Sequence, residues 1–133
     1  MAHTAQLKIE SKNYNVIECA YKLIKPLKKN GQPSGFSRGE KIEITVVSPE
    51  DSDMLLHDWM QSATDHKDGK IIFSVVDTGS PSIKTLHFKK ALCMSLYEYF
   101  NSQNSVQMLT KISIEAAEIS FGGGNIVFKN DEK

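Results

Sequence analysis

Cysteine is nearly absent: Cys19 and Cys93 are the only two in 133 residues. Neither has metal-ligand or redox spacing, and both sit in apolar, strand-like stretches. They therefore read as buried free thiols, as suits a reducing cytoplasm. An excess of one charge is also missing, because sixteen Lys plus Arg balance sixteen Asp plus Glu. Without a net field to hold a polyanion, general nucleic-acid binding is disfavoured and self-association is favoured. No apolar run approaches the roughly 18 residues of a membrane span. The opening Met1–Gln6 has no basic segment leading into an apolar one, so the reading is a chain made in the cytoplasm with no signal peptide. At 133 residues the expectation is one domain, 1–133, whose core needs no disulfide or metal.

Recognisable chemistry is scarce as well. The four histidines, His3, His57, His66 and His87, do not pair at the three-to-five spacing of a zinc site. His66, between Asp65 and Lys67, reads as a solvated turn residue, and His57 as an exposed helix residue. Gly122-Gly123-Gly124 follows a strand but opens no helix, so the basis for phosphate binding is missing. No serine stands in a nucleophile elbow and no carboxylate pair has a catalytic pattern. No catalytic residue, cofactor or metal is expected, and the chain does not read as an enzyme.

What the sequence does contain is strand. Leu7–Glu10 and Tyr14–Ile24 flank a Ser11-Lys12-Asn13 turn, and Lys41–Val47 alternates with Ile42, Ile44 and Val46 on one face. Ser48 as N-cap and Pro49 at the first helical position predict a helix running to Gln61. Leu55, Leu56, Trp59 and Met60 recur at helical spacing as its packing face. Asp68-Gly69 reads as a tight turn into Lys70–Val76, a strand apolar on both faces. Between the second and third strands lies a basic, turn-rich loop, Pro26–Arg38, far longer than the two to five residues that usually join neighbouring strands. Its cations and its one aromatic, Phe36, suggest a contact surface.

The strand-like stretches Ile83–Phe100 and Val106–Phe121 exceed the usual five or six residues, so they must bend, bulge or protrude. Ile112 and Ile114 hold one phase and Ile119 and Phe121 the other, which predicts a shift near Ala116-Ala117. Phe88, Leu92, Met94 and Leu96 keep one phase through Lys89-Lys90. The fold class is mainly β: a closed or nearly closed barrel with one flanking short helix and a long loop after the first hairpin. Apolar residues left on outer strand faces argue for neighbouring copies.

The order of these pieces carries a resemblance. Leu7–Cys19, the loop Asn30–Gly39, the helix ending in Trp59-Met60, Asp68–Phe73 and Glu118–Gly122 together resemble the haemolysin-coregulated protein family of type VI secretion, in its Bacteroidota form TssD. Gln32 stands where the family commonly has arginine, and Glu40 where it has a second glycine. The resemblance implies six copies closing into a ring, and rings stacking into a hollow tube that a contractile sheath drives out of the cell with effectors. Sheath, spike and baseplate proteins are the implied partners. It assigns ring stacking to Lys28, Lys29, Asn30, Gly31, Gln32, Pro33, Ser34, Gly35, Phe36 and Arg38. Lys111, Ser113 and Glu115 form a polar strand face that either lines the channel or simply faces solvent. Two other readings remain open at this level: a monomeric small-ligand carrier with a hollow barrel, and a sheet-surface binder of single-stranded nucleic acid.

Overall fold

The computed structural model describes residues 3–24, 30, 38–75, 84–103, 107–122 and 126–129. In chain order these form β1 (His3–Ile9), β2 (Lys12–Ile24), β3 (Arg38–Val47), α1 (Leu55–Gln61), β4 (Lys67–Val75), β5 (Lys84–Tyr99), β6 (Leu109–Phe121) and β7 (Ile126–Lys129). The sheet order is β3-β2-β1-β4-β5-β6-β7, and a further β3–β6 pairing closes it into a barrel. Both free edges of the closing strands are thereby satisfied, which is what full closure achieves for a rolled sheet. β7 pairs with the far half of β6, beyond the segment that pairs with β3.

Alternation accounts for the core. Ile42, Ile44 and Val46 of β3 are fully buried, and Ile42 and Ile44 stand opposite the equally buried Ile114 and Ile112 of β6. Leu7, Ile71 and Leu86, in register across β1, β4 and β5, fill the other wall.

The long strands bend by breaking phase. On β5, Phe88 is buried but so are Ala91 and Cys93, while Met94 is 49% exposed. The single phase expected through Lys89-Lys90 therefore does not hold. Lys90 takes a left-handed φ of 54°, and its N–H donates to Asp68 Oδ1 at 2.9 Å. β6 makes the matching step, with Ala116 buried and then Ile119, so the shift expected at Ala116-Ala117 is present and both strands share it. Across β5–β6 the register itself shifts elsewhere, between Cys93 and Ser95.

Asp68-Gly69 is not a turn. Both residues lie inside β4, where the sheet needs them for another reason. A Cβ on Gly69 would meet Phe88 Cζ at 2.6 Å and the Lys8 carbonyl oxygen at 2.7 Å, so only glycine admits both neighbours.

The helix is half the expected length. It begins at Leu55, because Ser48 is engaged elsewhere: its N–H donates to the Met108 carbonyl at 3.0 Å and its hydroxyl meets Thr110 Oγ1 at 2.7 Å. Residues 50–53 instead form a turn closed by Asp53 N–H to Glu50 O at 2.8 Å. Asp53 then accepts the Leu55 N–H at 3.2 Å and the Tyr14 hydroxyl at 3.1 Å. Burial is the main cause, and the Asp53 carboxylate the next, that pushes the Tyr14 hydroxyl far above its ordinary pKa.

Candidate functional site

The barrel interior is packed. A void would need small side chains on the inward strand positions, yet the large Leu7, Ile9, Ile44, Ile71, Leu86, Phe88, Ile112 and Ile119 occupy them, all at or below 1% exposure. Filled space of this kind disfavours the hollow carrier.

Outward positions carry unusual apolar area. Tyr97 is 63% exposed, Phe100 65% and Ile17 58%, with Met94, Tyr99, Met108, Ile126 and Val127 also exposed. Such area stabilises only when covered, by about 25 cal/mol per Å². Tyr97 stands opposite Lys111 on β6, and Lys111 opposite Thr45 on β3, so an aromatic borders a polar row across three strands.

That row is not uniform. Lys111 and Glu115 are exposed, but Ser113 is 7% exposed, set between Glu43 and Ser95, and its Oγ lacks a partner among the described residues. Of the loop residues, Lys28, Lys29, Gly31, Gln32, Pro33, Ser34, Gly35 and Phe36 lie outside the described set. Asn30 is an exposed turn residue, and Arg38 opens β3. Ile24 and Arg38 are paired, so the loop leaves and re-enters the barrel at one rung.

On α1, Leu56 and Trp59 are fully buried and Leu55 is half-buried against the core, whereas Met60 is 38% exposed. At about 100° per residue, Leu55 and Met60 flank the buried pair on opposite sides, and only the Leu55 side meets the barrel. Trp59 Nε1 donates to the Ala91 carbonyl at 3.1 Å, fixing the helix to β5.

His57 is half-buried, not exposed, and its Nε2 lies 3.3 Å from Glu98 Oε1. Glu98 Oε2 accepts from Thr110 Oγ1 at 2.7 Å. Because that hydroxyl spends its hydrogen on the carboxylate, Ser48 must donate to Thr110 in turn. This chain joins α1, β5, β6 and the segment after β3, which sequence spacing could not bring together; Glu98, polar within an aromatic strand end, is its only signal in the sequence.

The two thiols are free, Cys93 buried and Cys19 half-buried. Burial pushes both up to about 11, which keeps them protonated and unreactive. Among the described residues no group of three His, Cys, Asp or Glu could hold a metal ion, and no helix is long and apolar enough to cross a membrane.

Comparison with known proteins matches this geometry. No curated protein matches the chain. The family model described as Hemolysin coregulated protein Hcp (TssD) matches residues 1–131. Hcp1 from Flavobacterium johnsoniae is 30% identical, with a TM-score of 0.79 over 96% of this chain and 99% of that one. A crystal structure of an Hcp protein shares the fold at 17% identity and a TM-score of 0.72, covering 99% of each chain. The sheath-tube complex of an extracellular contractile injection system, PVC, shares it more distantly, at 16% identity and a TM-score of 0.52 over 89% of this chain and 87% of that one. A closed barrel with an added strand, a single short helix, a packed interior and a family match spanning nearly every residue place this chain in the haemolysin-coregulated protein (TssD) family, the secreted tube subunits of type VI secretion systems.

Proposed function

We propose that residues 1–133 act as one domain, that six copies close head-to-tail into a ring, and that rings stack into the hollow inner tube. The observation that carries this is the apolar area on the outside of a filled barrel, above all Tyr97, Phe100 and Ile17. A repeated heterologous contact that closes by rotation would cover it. The loop from Lys28 to Arg38 docks the next ring. Its length, its cations and Phe36 support the assignment, as does its origin from a single rung of the β2–β3 pair.

On this reading the chain assembles in the cytoplasm, meets sheath, spike and baseplate proteins, and carries effectors through the channel. Lys111 and Glu115 offer a charged, exposed face to that channel. The protein works by assembling, without catalysis and without a cofactor.

Light scattering on purified protein tests the ring: a mass near six protomers is expected, and a single protomer at every concentration would refute it. Replacing Phe36 and Arg38 with alanine should leave rings intact and shorten or abolish tubes in electron micrographs. Unchanged tube length would remove the loop from ring stacking.

A further inference from the structure

Register places a basic row, with two lysines face to face, on the outer wall of the barrel. Lys8 of β1 is paired with Lys70 of β4, and Lys70 with His87 of β5. Like charges directly opposite one another cost stability, so an uncompensated pair of this kind calls for a counter-charge. The row lines an open groove of about 480 Å³ together with Lys89, Glu10 and Asp68.

The two carboxylates compensate it only in part: Glu10 is committed to an ion pair, and Asp68 alone leaves its charge in the groove against Lys8, Lys70 and Lys89. Glu10 Oε2 is held by Lys67 Nζ at 2.7 Å, and Asp68 Oδ1 accepts the Lys90 N–H at 2.9 Å. Among the described residues no ion pair involves Lys8, Lys70 or Lys89.

The same chain offers the missing charge elsewhere. The turn after β3 exposes Glu50 and Asp51, and α1 exposes Asp58, again with no ion pair among the described residues. The turn is braced by the Asp53–Glu50 backbone hydrogen bond and by Tyr14 on Asp53, so its acids are presented at little ordering cost. β3 and β4 stand three strands apart in either direction round the closed barrel. Opposite charges on two distinct patches of one protomer are what a head-to-tail contact joins and a two-fold contact does not need.

We propose that, within the ring, the Glu50-Asp51 turn of one copy seats on the Lys8–Lys70 groove of the next. This rests on the ring reading above and adds its electrostatic register, which selects the neighbour's orientation and speeds encounter.

The test is a charge swap. K8E/K70E and E50K/D51K should each need roughly tenfold more protein to form rings than the wild type, with circular dichroism unchanged. Mixed one to one, they should form alternating rings, because each supplies the complement the other lacks. Should the glutamate variant misfold, K8Q/K70Q carries the test: it should weaken assembly and lose its sensitivity to added salt. Variants that form rings as readily as the wild type, or folded variants whose mixture stays unassembled, would overturn the proposal while leaving the ring itself standing. A groove that merely holds a free anion predicts that second result. A wild type that never forms rings would overturn both readings.

Discussion

Gly69 shows how one residue can hold a wall of the barrel. Its missing side chain lets Phe88 and the Lys8 carbonyl close over β4, and the carbonyl cannot move without breaking the sheet. Gly69→Ala should therefore cost about 2 kcal/mol or more in urea unfolding. Adding Phe88→Leu should not restore the loss, because the Lys8 contact remains. The buried acids of the core make a second prediction. Cys19 and Cys93 are pushed up to about 11 and Tyr14 is also raised, all chiefly by burial. The folded state therefore holds protons that the unfolded chain releases from about pH 9 upward, so stability is full below that and falls as pH rises toward 11. Urea midpoints at pH 8 and pH 10.5 should show the decline, and a flat profile would contradict the raised thiols. Alkylation of the folded thiols should be correspondingly slow at pH 8.

At the scale of the element, the helix separates pattern from packing. Four apolar side chains at helical spacing suggested four buried ones, yet the barrel offers α1 a surface wide enough for Leu56 and Trp59, with Leu55 at its edge. Leu56→Ala should cost about 2–5 kcal/mol, and Met60→Ala less than about 0.5, by chemical denaturation. Comparable losses would mean that Met60 is covered after all. β4 and β5 slip register between Lys67 and Gly69, and one side chain ties the slip: Asp68→Ala removes the acceptor for Lys90 N–H and should lower stability by about 1 kcal/mol without shifting the strands. The helix starts at Leu55 and not after Ser48, because Ser48 is a good N-cap locally but its hydroxyl finds Thr110, a residue distant in sequence.

For the whole molecule, the balance of charge hides a division. The total is zero, yet cations gather along β1, β4 and β5 and acids after β3, so assembly should weaken as salt rises. Ring mass measured at about 0.05 and 0.5 M sodium chloride checks this, and indifference to salt would leave apolar contact alone as the adhesive.

The residue order alone determined the mainly β class, the inward face of β3, the unusual length of β5 and β6, the phase break of β6 and the free thiols. Each follows from patterns a few residues long, where steric alternation and local propensity dominate. Only the tertiary structure decided that Asp68-Gly69 lies within a strand, that Met60 faces out, that His57 joins Glu98 and Thr110, and that Lys8 meets Lys70. Those are pairings between segments tens of residues apart, set by how closure of the barrel aligns one strand with the next, and no local window contains that alignment.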